Sequence, residues 1–172
     1  MKSDLAIAAV LIALSVTLGL LLVAVPNVEG VSAVSFFSGA ILGAGGGAFV
    51  GAVSMGLFSV LNPLGPAVFP VLLAQMAGMA LMGCSGALWL KLAGSRGRAA
   101  VLAGVAGGVL TFIYDVLTNY GFAVTMGRWS DPLPFIAAGI PFSVVHIVSN
   151  ALVFAGVATL VHSRKRPRRD AE

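Results

Sequence analysis

Long apolar runs fill almost the whole chain, and no other feature restricts its possible folds as tightly. Leu5 to Val25, Val68 to Leu92, Ala99 to Met126 and Pro134 to Val161 each reach the roughly 20 residues a helix needs to cross a ~30 Å hydrocarbon core. A backbone in lipid must satisfy its own hydrogen bonds, and continuous apolar runs of this length do so as helices. Only 9% of the 172 residues are charged, against about 25% in a soluble domain, and 59% are hydrophobic. Too little polar surface remains to cover a globule in water. The sequence therefore specifies an all-α integral membrane protein.

The stretch from Val31 to Leu61 is too long for one ordinary span and short for two. Charge decides between them. With two crossings and a turn near Gly43 to Gly47, Lys2, the group Lys91, Arg96 and Arg98, and the tail Arg164 to Arg169 all fall on one side. Glu29, the Asn62-Pro63-Leu64-Gly65-Pro66 loop and the loop from Arg128 to Asp131 then fall on the other. Basic residues collect on the cytoplasmic side, so this arrangement is the expected one. It gives six transmembrane helices with both termini cytoplasmic. Residues 1–162 form the membrane domain and 163–172 a basic tail. The tail reads as a topology signal touching anionic lipid, not as a nucleic-acid site. Lys2 ahead of an apolar run resembles a signal peptide, but the run is too long and Pro26-Asn27-Val28-Glu29 is a poor cleavage context. Cys84 is the sole cysteine, so no intrachain disulfide is available.

Spans two and three are then short and rich in glycine. Such segments mark substrate sites in transporters. Gly39, Gly43, Gly47 and Gly51 equally form a small-residue ridge for close helix packing. Ala9 and Ala13 repeat the small-xxx-small spacing in span one. Trp89 and Trp129 sit near the ends of their spans, where tryptophans anchor to the membrane interface.

A few polar residues interrupt the lipid-compatible runs. Asp115 lies mid-span, where an ionisable group costs roughly 2.5–3.5 kcal/mol on insertion scales and needs an inward-facing partner. Asn119 follows four residues later on the same helix face, with Thr111 and Thr118 near its edges. The last span carries His146 and Asn150 at the same spacing, with Ser143 on that stripe. Spans five and six run antiparallel, so Asp115 and His146 meet at one depth. Tyr114, Tyr120 and Gln75 offer further donors and acceptors. Three readings fit: a structural clip between two spans, a pocket for a small organic solute, or a proton relay. The relay lacks further ionisable groups toward either side. An enzyme reading rests on Gly83-Cys84-Ser85-Gly86, which matches the GxSG pattern of rhomboid proteases, with His146 as base. Helical rise sets Ser85 well to the cytoplasmic side of His146, beyond hydrogen-bond reach.

The joint order of these features resembles the substrate-binding S component of an energy-coupling factor transporter. It comprises six spans with cytoplasmic ends, Ala9-x-x-x-Ala13 in span one, Pro26-x-x-Glu29 entering Gly-rich spans, and Tyr114-Asp115-x-x-Thr118-Asn119 in span five. The resemblance implies a bacterial plasma-membrane protein that captures a vitamin-like solute from outside. It implies a pocket built from Asp115, Asn119, His146 and Asn150, with Tyr114, Tyr120, Gln75 and Glu29 contributing. It also implies docking through Ala9 and Ala13 onto a membrane coupling protein driven by two ABC ATPases. ATP hydrolysis belongs to those partners, since Gly43 to Gly47 lacks the Lys-Ser/Thr of a phosphate-binding loop. No cofactor or metal is implied, because the nickel and cobalt branch uses an N-terminal Met-His site and residue 2 here is Lys2. Riboflavin, thiamine, cobalamin fragments and queuosine precursors all remain open as solutes.

Overall fold

The computed structural model describes residues 2–163, and the expected basic tail from Arg164 onward lies outside them. Five helical elements follow one another: α1 (Lys2–Leu22), α2 (Val31–Leu61), α3 (Phe69–Leu92), α4 (Arg96–Thr125) and α5 (Leu133–Ser163). All five are long and apolar enough to cross a membrane. The protein is a multi-pass membrane protein built of helices. Start signals are local. Pro70 opens α3, where its missing N–H costs nothing, and the Ser95 hydroxyl caps α4 by accepting from the Arg98 backbone N–H. Pro141 lies inside α5.

Element α2 is two helical arms that follow one another with no loop between them. Gly43 alone has non-helical backbone angles there, φ 80° and ψ 174°, a region that glycine enters freely. A Cβ built on Gly47 would lie 2.5 Å from the Cα of Gly39. Residues eight apart in a straight helix are about 12 Å apart. At the other end, a Cβ on Gly19 of α1 would meet both Val31 and Phe58, each at 2.8 Å. The first and last turns of α2 therefore lie side by side, and the chain doubles back at Gly43. The arms are 31–42 and 44–61. The turn is tighter than the expected Gly43-to-Gly47 loop, because helix resumes at once and Gly47 is left free to pack.

The packing partner is α3. A Cβ on Gly39 would overlap the carbonyl of Gly83, one on Gly86 the carbonyl of Phe36, and one on Gly51 the carbonyl of Met79. Both arms thus touch α3 backbone to backbone. Lipid offers no hydrophobic drive for helix association, so this close approach and its dispersion contacts hold the three segments together. Beside the seam, Phe36, Phe37, Trp89 and Phe154 stack with ring centroids 4.9–6.0 Å apart. Trp89 is only 4% exposed and donates its indole N–H to the Ala99 carbonyl at 2.9 Å. It is a core residue, not the interfacial anchor its position beside Lys91 predicts. The backbone carbonyl at the start of α4 meets the indole's need within the protein. Trp129, by contrast, is exposed.

Helix α4 packs on α3 and α5, while α1 leans chiefly on α2. The run of the helices gathers Lys2, Lys91, Arg96 and Arg98 at one end of the bundle, here termed the basic end. Glu29, Asn62 and the Arg128–Asp131 ion pair (2.7 Å) occupy the opposite end.

Candidate functional site

Behind α1, toward the end opposite the basic residues, three ionisable side chains form a line. His146 of α5 holds the Asp115 carboxylate through Nδ1 at 2.8 Å and the Glu29 carboxylate through Nε2 at 3.3 Å. Asp115 comes from α4, whereas Glu29 comes from the turn before α2. The imidazole thus ties three separate elements. Ser32, in the first turn of α2, donates to the same Glu29 oxygen. Tyr114 sets the edge of its ring against His146, centroids 5.9 Å apart, and its hydroxyl points at the Met55 sulfur, 3.9 Å away.

One turn deeper, Asn150 is fully buried. Its amide N–H groups donate to Thr111 at 2.9 Å and Ser32 at 3.3 Å, linking α5 to α4 and to α2. Ser32 therefore joins the upper trio to this lower layer. Unsatisfied atoms remain: the second Asp115 carboxylate oxygen, the Asn150 carbonyl oxygen and the Gln75 carbonyl oxygen are buried with no hydrogen-bond partner. Such atoms cost roughly 1–3 kcal/mol each when nothing meets them.

Glu29, Tyr114 and His146 line a cavity of about 240 Å³ with Asn27, Asn62 and Phe58 among its other walls. Asn27 holds φ 59°, a left-handed conformation, and its carbonyl accepts from Ser149 of α5 at 2.7 Å. That bond fixes the α1–α2 turn over the trio. Asn62 closes α2, and its side chain accepts from the Leu64 N–H at 2.9 Å.

The expected pocket residues thus separate into groups. Glu29, Asp115, His146 and Tyr114 come together, and Asn150 stands below them. Gln75 lies beside Tyr114. Asn119 donates to the Asp115 backbone carbonyl at 2.8 Å and packs against Gly139, outside the cavity. Tyr120 is 42% exposed and does not line it. Ala9 and Ala13 are both exposed on α1. Sequence reasoning missed Ser32, Asn27 and Asn62 as site residues. Ser32 carries one usable signal, since it follows Glu29 by three residues at a helix start.

Ser85 is not placed for catalysis with His146. Its hydroxyl donates to the Leu81 carbonyl at 2.8 Å within α3, and both His146 ring nitrogens face carboxylates. No group of three or more metal-ligating side chains occurs among the described residues. Comparison with family models, curated proteins and solved structures returned no match to this chain.

Proposed function

We propose that the protein is the solute-capture subunit of an uptake transporter of the energy-coupling factor type, in the bacterial plasma membrane. The chain crosses six times, the two arms of α2 supplying the second and third crossings. The basic end, with both termini, faces the cytoplasm. The solute enters from the other side and is held by Glu29 and His146, with Tyr114, Asn27 and Asn62 around it. Asp115 orients the imidazole from behind. A vitamin or similar small organic micronutrient is the cargo. The exposed face of α1 around Ala9 and Ala13 docks onto a coupling protein that carries two ATPases.

The observation that carries this reading is a cavity with Glu29, His146, Tyr114, Asn27 and Asn62 among its walls, in a chain of which only 9% is charged. Groups that only clip helices together need no space between them. The experiment is mass spectrometry of gently purified protein, where a stoichiometric small organic molecule is expected. Glu29→Gln should lose it while the protein stays folded. Undiminished ligand in that variant would refute the site.

A second reading has one observation in its favour: both His146 nitrogens already meet partners within the chain. On that reading the trio is an internal clip of a structural membrane protein. It requires that no ligand accompany the protein, and that replacing any of the three residues destroy the fold.

A further inference from the structure

Along the bundle from the polar cavity runs a second, larger void. It is an apolar groove of about 400 Å³ between α1, the first arm of α2 and α5. Leu11, Leu14 and Leu18 form one side, Ala33 and Phe37 another, and Val157 a third. From Leu11 to Leu22 along α1 is roughly 16 Å at the helical rise. The two voids share three wall residues, Leu22, Val28 and Glu29. Glu29 therefore stands where the polar chamber gives way to the oily one.

Charge adds a second constraint. The polar chamber presents the Glu29 carboxylate and the His146 imidazole, with Asp115 behind the imidazole, and among the described residues no lysine or arginine lines it. The trio thus sets two acid groups against one base, an excess of negative over positive partners. A cation brought by the ligand would balance it, and a second anion would be repelled in this poorly solvated place. Volume points the same way. The polar chamber alone is smaller than the roughly 300–1,000 Å³ typical of small-molecule sites, and the groove supplies the missing space.

We infer that the cargo is amphiphilic, with a compact cationic head such as an amine at Glu29 and His146, and an apolar portion lying in the groove between α1 and α5. This rests on the uptake reading and narrows it to a class of solute. Recognition is divided. The head is chosen by charge and hydrogen bonding, the tail by burial of hydrocarbon against leucine and valine.

The test uses the full chain in phosphatidylcholine nanodiscs, with octylamine, butylamine and octanoate as probes, followed by thermal unfolding across a concentration series. Octylamine should stabilise the protein with an apparent affinity at least ~10-fold tighter than butylamine, since four more methylenes are buried. Octanoate should give no shift. Glu29→Gln should abolish the response to both amines. Val34→Trp, which narrows the groove without touching the polar chamber, should remove the advantage of octylamine and keep the butylamine response. Equal affinity for the two amines in the native chain would overturn the apolar half and leave the polar site standing. An octylamine response surviving in Glu29→Gln would mean the groove takes any acyl chain, lipid included, and would overturn the proposal. Absence of any amine response, with a co-purified molecule still lost from Glu29→Gln, would overturn the cationic head while preserving solute capture. Absence of both would bring down the uptake reading with it.

Discussion

Toward the basic end, α2 and α3 meet glycine to glycine, with carbonyls where side chains would otherwise stand. Toward the other end, polar groups from four segments, the α1–α2 turn, the end of α2, α4 and α5, line a cavity. The first region has no room for a methyl group. The second keeps buried oxygens without partners. Adhesion in lipid depends on contact, so the seam carries the cohesion of the bundle. The polar region tolerates unfavourable desolvation, which a binding site can use and a structural joint cannot. One hairpin serves both, the glycine faces of its arms in the seam and its mouth at the site.

The contrast can be broken most directly at Gly86. Gly86→Val should cost at least ~3 kcal/mol, because the new side chain meets the fixed Phe36 carbonyl with no space to yield. Loss of monodisperse protein on size exclusion is the expected readout. Gly45→Ala, where nothing lies within 4 Å, should be silent in the same assay. Native behaviour of the Gly86 variant would remove the seam as the source of cohesion.

His146→Ala should cost about 3 kcal/mol, since it leaves the buried Asp115 carboxylate and the partly buried Glu29 carboxylate without the group between them. The less disruptive His146→Gln should restore most of the melting temperature and still lose the ligand. Retention of ligand by His146→Gln would make the imidazole a structural part alone.

A smaller effect is expected at the hairpin tip. Gly43→Ala meets open space but a positive φ, and should lower stability by ~1–2 kcal/mol through backbone strain alone. A neutral result in thermal unfolding would mean the reversal is not fixed by this residue. Smallest of all, Ala9→Leu with Ala13→Leu should change stability by no more than ~0.5 kcal/mol, as both sites are exposed. Ligand binding should persist, and cellular uptake should fail. Normal uptake would exclude this face as the docking surface.

The helices were legible in the sequence because span length and charge placement are set by the bilayer itself. The doubling back of α2 was also legible, since only that path puts Lys2, Lys91, Arg96 and Arg98 together. The pairing of Asp115 with His146 followed from one depth on antiparallel neighbours. Tertiary contacts decided the rest. Trp89 carries the flanking lysine of an interfacial residue, and only the Ala99 carbonyl across the helix turn reveals its buried role. Asn119 shares a face with Asp115, yet its side chain bonds to its own helix. Asn27 and Asn62 read as ordinary loop residues until the fold brings both loops over one chamber.

The short first arm of α2 is shielded from the membrane around it. Residues 31–42 extend only about 18 Å, little more than half of a ~30 Å hydrocarbon slab. Most of the arm is buried, with α1, α3 and α5 against it, so neighbouring helices and not acyl chains cover its backbone. The glycine that reverses the chain thereby lets a segment too short to cross a bilayer unaided sit inside one.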